Sequence, residues 1–368
     1  MALQVGIVGL PLVGKTTIFN ALTSGHAHTA AFTSRADKPN IGVARIPDRR
    51  LHILNQYIQT KKIVPATLQI VDVPGLARGA STGQGLGNKF LAHIRDMDAI
   101  IHVVRCFQSD QVPHPEGSID PVRDIDAVET ELILADLESV SNSLDRARRA
   151  ARGGEKEAVA RAELLEQAYE RLNQGRPVRE LSLTPEQSKL IKSMGLLTAK
   201  KTLFVANVGE DDVQGTSEQV QAARRRAESE GGLLVPVCGK LEAEIAQLPE
   251  SDREEMLKAM GLSEPALAVV ARAAYKLLGL HSFLTAGPEE IRAWTIPIGA
   301  KAPQAAGAVH SDLEKSFIRA EVYQVEDLVQ YKSEQAIRAA GKLRLEGKDY
   351  VIQDGDVVHF QAGLAGRR

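Results

Sequence analysis

Val5-Gly-Ile-Val-Gly-Leu-Pro-Leu-Val-Gly-Lys-Thr-Thr-Ile-Phe-Asn-Ala-Leu22 decides the fold. Residues 9 to 16 complete the pattern G-x-x-x-x-G-K-[ST]. An apolar run, Val5 to Val8, precedes it, and a helix-forming run, Thr17 to Leu22, follows. Strand, glycine loop and helix in that order make a phosphate-binding loop, not an ordinary turn. The glycines let the backbone turn its N–H groups inward around a polyphosphate. The helix N-terminus adds the positive end of its dipole. Gly9, Leu12, Val13, Gly14, Lys15, Thr16 and Thr17 are therefore expected around the phosphates. Lys15 should reach the β- and γ-phosphates and serve catalysis, and Thr16 should ligate Mg²⁺.

The 368 residues as a whole, 43% hydrophobic and 25% charged, suit a soluble globular chain. That length implies two or three domains. A formal charge of −2 gives no global drive toward nucleic acid or membrane. Two cysteines, Cys106 and Cys238, imply no disulfide framework, and each ends an apolar run as a buried thiol would. The first basic residue is Lys15, so no secretory leader is expected. No apolar stretch approaches the ~18 residues of a transmembrane span. A cytoplasmic monomer is the expectation.

Five short runs read as buried parallel strands: Leu3–Val8, Ala66–Val71, Ala99–Val104, Thr202–Ala206 and Leu233–Val237. Helical stretches alternate with them, which predicts an α/β three-layer domain. Roughly 95 residues separate the third run from the fourth, far more than one helix needs, so something is inserted. Leu132, Leu137, Val140, Leu144 and Ala147 share one helix face; Val159, Leu164, Leu165, Ala168 and Leu172 share another. Gly153-Gly154 breaks the pattern between them, giving an antiparallel helical hairpin. Residues 124–145 hold seven acids and no base, and Arg146, Arg148, Arg149 and Arg152 follow. Dipole complementarity and solvation account for this asymmetry; a basic tip for RNA phosphates accounts for it equally well. Beyond Leu278, strand-like Glu290–Ile296, Ile318–Tyr323 and Asp356–Phe360, with a short helix at Glu334–Ala340, predict a small α+β domain. Residues 285–362 carry nine bases and twelve acids, so that domain has no basic footprint.

Asp72-Val-Pro-Gly75 ends the second run. A carboxylate there can hold the Mg²⁺ shell, and the Gly75 N–H can approach a γ-phosphate. Leu76 follows, where Ras-like enzymes supply a glutamine that orients water. Leucine has no donor or acceptor for that task. Gln84 lies in the glycine-dense segment 79–87, eight residues late. His114, in Gln111-Val-Pro-His-Pro-Glu-Gly117, is the candidate to position water instead. Base recognition should fall after Thr202–Ala206. GTPases place Asn-Lys-x-Asp there, and the aspartate accepts from guanine. This chain has Asn207-Val208-Gly209-Glu210, with the lysine gone and the acid one methylene longer. Cys238, Gly239 and Lys240 occupy the place of the GTPase Ser-Ala-Lys loop. Adenine has no N1–H or N2 amino group to require that aspartate, so ATP stands beside GTP as a candidate nucleotide.

Together these segments resemble the YchF/Obg-like ATPase family of P-loop proteins. So do Phe90–Arg95, His102–Phe107, Glu129–Leu137, Leu241–Ile245, Arg292–Thr295, Phe317–Val322 and Gly341–Tyr350. The resemblance implies a nucleotide domain (1–122 and 197–280), a helical arm (123–196) and a C-terminal β-grasp TGS domain (281–368). It implies slow ATP hydrolysis without a catalytic glutamine, and ribosome association through arm and TGS domain, with rRNA or tRNA as contacts. A role in translation or stress response follows from the same resemblance. An ordinary GTPase and an occupancy-driven nucleotide sensor are the alternatives. Leu12 stands where the family has an asparagine, a residue that in related P-loop proteins helps bind a monovalent cation near the phosphates, so potassium dependence is not expected to carry over. A gapless comparison puts Ala36 at the Mg²⁺-ligating threonine of the first switch; Thr33 takes that place only if the loop shifts.

Overall fold

The structure, a computed structural model, describes residues 3–23, 39–74 and 86–363. Its strands are β1 (Gln4–Val8), β2 (Asn40–Arg45), β3 (Ile63–Val64), β4 (Thr67–Asp72), β5 (Ala99–Arg105), β6 (Lys201–Asn207), β7 (Leu233–Val237), β8 (Leu280–Ala286), β9 (Ile291–Pro297), β10 (Phe317–Tyr323), β11 (Arg344–Glu346) and β12 (Val357–Ala362). They form two six-stranded sheets, ordered β2-β4-β1-β5-β6-β7 and β11-β10-β12-β8-β9-β3.

In the first sheet β4, β1, β5, β6 and β7 pair in parallel. Every residue of β5 is buried, as a sheet covered on both faces requires. Helix α1 (Lys15–Thr23) follows β1. The loops after β1, β4, β6 and β7 leave one edge, the carboxyl edge where open parallel sheets bind ligands. The five expected strands are present to within one residue at each end. Edge strand β2 was not expected: Ile41 and Val43 are exposed, so it lacks the buried run that marked the others.

The insert is a hairpin of α-helices, as expected. After α2 (Arg49–Tyr57) and α3 (Leu86–Arg95) come α4 (Pro121–Ala151) and α5 (Lys156–Asn173). Asp120 caps α4 by accepting from the Arg123 N–H, with Pro121 in the first turn. Gly154 turns the chain at φ +75°. Val140, Leu144, Ala147, Leu164, Leu165, Ala168 and Leu172 close a separate core. At the root of the arm Asp136, fully buried, accepts from the N–H groups of Leu197 (2.9 Å) and Thr198 (2.7 Å) and from the Thr198 hydroxyl (2.7 Å). Beside it Arg179 pairs with Glu129 (3.0 Å) and Glu230, and Arg226 with Glu230 and Asp126. Four of the seven acids in 124–145 are buried: Asp124, Glu129, Glu131 and Asp136. Solvation therefore does not explain that acidic run; much of it is internal wiring.

The chain divides into two compact units, residues 1–44 with 69–270, and residues 45–68 with 271–368. This differs from the expected partition, which kept 45–68 with the nucleotide domain and began the last domain at 281. Within the second unit β3 extends the sheet by pairing with β9, α2 packs on β9 and on the helix Val325–Tyr331, and Arg50 bridges Asp48 (2.8 Å) and Asp354 (3.1 Å). A sheet strand donated from 228 residues upstream in the chain (Ile63 beside Ile291) leaves no local trace in the C-terminal sequence. The core of this unit gathers Phe283, Ile296, Phe317, Val322 and Val358 under the helix Ala302–Val309. Among the described residues no helix is long and apolar enough to cross a membrane.

Candidate nucleotide site

The phosphate loop owes its path to three left-handed or open residues: Gly9 at φ +149°, Leu12 at +62° and Gly14 at +94°. A Cβ on Gly9 would strike the Val103 carbonyl, and one on Gly14 the Asn207 amide. Leucine at a positive φ is strained, and asparagine is among the few side chains that tolerate it. Lys15 is 8% exposed and turned into the loop, its Nζ donating to Gly9 O (3.1 Å) and Leu10 O (2.7 Å). Burial pushes its amine down to about 8, against the opposing pull of Asp72.

Thr16 and Asp72 meet: the hydroxyl donates to Asp72 Oδ2 at 2.9 Å. Burial raises the Asp72 carboxyl, opposed by Thr16, by Lys15 and by a hydrogen bond from Asn40. Two hard oxygen donors side by side, next to a phosphate loop, fit Mg²⁺, which takes one or two protein ligands and fills its octahedron with phosphate and water oxygens. Asn40, on the edge strand β2, was not anticipated as part of this group. Thr17 stands half-buried in the first turn of α1. Gly75, Leu76, Gln84, Thr33 and Ala36 lie outside the described residues.

On the base side Asn207 is a strut. Its Nδ2 donates to Val13 O (2.9 Å), and its Oδ1 accepts from the Gly239 N–H (3.0 Å), tying the phosphate loop to the loop after β7. The side chains of Val208 and Cys238 are buried in the core, so these two expected nucleotide-binding residues offer backbone alone. Burial pushes the Cys238 thiol up, consistent with an inert role. Glu210 projects to the surface and pairs with Lys240 at 2.6 Å.

His114 does not have the freedom its candidacy needs. Its side chain is 4% exposed, its Nε2 bonds Asp124 Oδ2 (2.9 Å), and its Nδ1 accepts from the Glu116 N–H (3.1 Å). Neither ring nitrogen is left for a water. The loop around it is built and held: Arg105, 1% exposed, donates to the carbonyls of Phe107, Val112 and Pro113. Sequence reading missed Arg105, because a buried arginine that satisfies carbonyls carries no motif.

The likeness to known proteins runs over nearly the whole chain. Residues 4–140 match the family described as 50S ribosome-binding GTPase. Residues 280–363 match the C-terminal YchF-GTPase family, described as a protein of unknown function (DUF933). The chain is 46% identical over 361 residues to the "Ribosome-binding ATPase YchF" of Pasteurella multocida, covering 98% of this chain and 99% of that one. It is equally similar, 46% over 363 residues, to the protein of that name in Bacillus subtilis, with the same coverage. Among solved structures the Schizosaccharomyces pombe YchF GTPase superposes with a TM-score of 0.85 at 35% identity, covering 98% of this chain and 97% of that one.

Proposed function

The chain belongs to the YchF family, and from that premise we propose that it is a Mg²⁺-dependent nucleoside triphosphatase that prefers ATP, turns over slowly and works on the ribosome. The observation that carries the reading is Asn207. It makes the strut of a nucleotide-binding P-loop protein, yet the residues after it lack both the lysine and the aspartate that select guanine. Lys15 would exchange its two loop carbonyls for the β- and γ-phosphates. That exchange replaces neutral acceptors with charged ones and restores the proton that burial disfavours. Thr16 and Asp72 would hold Mg²⁺, which neutralises charge developing on the phosphate oxygens. Gly75 would present its N–H to the γ-phosphate. Leu76 contributes nothing to orient water, and His114 has no free nitrogen. Turnover of the free protein then belongs in the slow range, about 10⁻⁴ to 10⁻³ s⁻¹, unless a partner completes the site.

The relatives' printed name supplies ribosome binding, and the exposed arginines at the arm tip are a surface suited to RNA phosphate. The arm and the C-terminal domain would read the ordering of the segments on either side of the nucleotide. Leu76 also favours a second reading, a sensor that signals by occupancy. Calorimetric titration of nucleotide-free protein with Mg²⁺-ATP and Mg²⁺-GTP tests the first point. A preference for ATP of tenfold or more, about 1.4 kcal/mol, supports it; equal or tighter GTP binding overturns it. Single-turnover hydrolysis with and without ribosomes separates triphosphatase from sensor.

A further inference from the structure

Edge strand β2 alternates. Ala44 is fully buried while Ile41 and Val43 are 62% and 51% exposed, so Asn40, Gly42 and Ala44 share the inner face. On that face Gly42 lies against the last turn of α1. A Cβ there would come within 2.6 Å of Thr23 Cγ2 and 3.0 Å of Phe19 Cζ, and only glycine lets the strand approach so closely. Two residues back on the same face, Asn40 donates a hydrogen bond to Asp72, at the end of the neighbouring strand β4. Thr16, in the first turn of α1, donates to Asp72 Oδ2 at 2.9 Å. Contacts therefore run from α1 to β2, from β2 to β4 and from β4 back to α1, and the Asp72 carboxylate is their junction.

We propose that Asn40 is a positioning residue for Mg²⁺, fixing the plane of the Asp72 carboxylate that the ion needs. The proposal deepens the reading that Thr16 and Asp72 hold Mg²⁺, and it rests on that reading. A carboxylate held by one donor still turns about its Cβ–Cγ bond, a torsion with broad wells. A second donor, carried by a different element, stops that rotation. Mg²⁺ demands near-ideal octahedral geometry, so a carboxylate that turns freely serves it poorly, whether directly or through a bound water. The amide suits the task because it donates without bringing charge. A lysine in its place would neutralise Asp72, and an aspartate would repel it. Asn40 is itself exposed, so its bond adds little to folding; its value lies in the orientation it gives a buried neighbour.

The test is the Mg²⁺ concentration that half-maximally supports nucleotide binding by the full chain. The nucleotide is whichever of ATP and GTP binds the wild type more tightly. Wild type, Asn40→Ala, Asn40→Gln, Asp72→Asn and the double variant Asn40→Ala with Asp72→Asn are compared, and affinity in EDTA is measured in parallel. Hydrogen-bond partners of metal-holding carboxylates are worth roughly 10- to 100-fold in metal affinity. Asn40→Ala is therefore expected to raise the Mg²⁺ requirement about tenfold, and Asn40→Gln, which keeps the amide, by about threefold or less. On the Asp72→Asn background the Asn40→Ala shift should shrink to less than about twofold, because it acts through that carboxylate. Three results overturn the inference and leave the Mg²⁺ reading standing: a requirement unmoved by Asn40→Ala, an equal loss of affinity in EDTA, or a shift undiminished on Asp72→Asn. A wild type whose nucleotide affinity ignores Mg²⁺, or a requirement untouched by Asp72→Asn, overturns the Mg²⁺ reading itself, and the inference falls with it.

Discussion

Two buried aspartates of the first unit, Asp136 and Asp72, are treated oppositely by the chain. Asp136, at the root of the arm, receives three donors, two of them backbone N–H groups. Asp72, at the phosphate loop, receives the Thr16 hydroxyl and the Asn40 side chain and faces a lysine that bonds other atoms. Burial raises both carboxyls. Burial and a displaced pKa therefore do not separate structure from function here. The difference lies in what the neighbours offer: two fixed backbone amides and a buried hydroxyl at Asp136, and at Asp72 a hydroxyl and an amine that, under the proposed function, would turn to a metal and a phosphate.

The largest effect that could break this comparison is on folding. Asp136→Ala leaves two buried N–H groups and a hydroxyl unpaired and should cost about 3 kcal/mol. Asp72→Asn removes a charge that burial already disfavours and should change the stability of the nucleotide-free protein by less than about 0.5 kcal/mol, while sharply weakening Mg²⁺-dependent nucleotide binding. Urea unfolding of both variants decides. Comparable losses would make Asp72 a structural residue like Asp136.

Next is pH. Free Lys15 titrates at about 8, and a bound triphosphate raises it, so the complex holds more protons than the free protein. Binding is then favoured at low pH and loses up to about tenfold in affinity per unit, 1.4 kcal/mol, as pH rises above about 8. Lys15→Arg stays charged throughout and should flatten that slope, although its bulk lowers affinity. Proton uptake measured calorimetrically in two buffers checks the sign; proton release would reverse it.

Leu12 adds a smaller term. Its φ of +62° is one that a leucine adopts at a cost of roughly 1–2 kcal/mol. Leu12→Asn should stabilise the nucleotide-free protein by about 1 kcal/mol, read as a rise in unfolding midpoint. If the midpoint instead falls, the leucine's half-buried side chain contributes more packing than its backbone costs.

The two aspartates also explain what the sequence made legible. Asp72 was readable because its partners are local in pattern: a complete phosphate loop, then a strand ending in Asp-x-x-Gly. Strands β1, β4, β5, β6 and β7 were readable because sheets covered on both faces demand continuous apolar runs. Asp136 was not readable, since its partner Thr198 lies 62 positions away and its neighbours in sequence look like an ordinary acidic helix. Asn207 was assigned to the base segment, but its bond to Val13 O, across 194 positions, is a fact of assembly. Residues 45–68 were misplaced for the same reason: β3 carries two residues, and only its pairing with β9 reveals which sheet it serves.

The arm tip supplies the smallest effect on folding and the sharpest contrast with the root. Arg148 closes an exposed ion pair with Glu166 at 2.7 Å, while Arg146 and Arg149 bond carbonyls one turn back, Asn142 O and Asp145 O. Such contacts are worth a few tenths of a kcal/mol. Replacing Arg146, Arg149 and Arg152 by alanine should therefore leave the unfolding free energy within about 0.5 kcal/mol of the wild type. If the tip meets ribosomal RNA, the same variant should lose most of its co-sedimentation with ribosomes, and its affinity should depend less steeply on salt, by about two in the logarithmic slope. Unchanged pelleting with an unchanged slope would remove the tip from the ribosome contact, and the arginines would then serve the dipole of α4 alone.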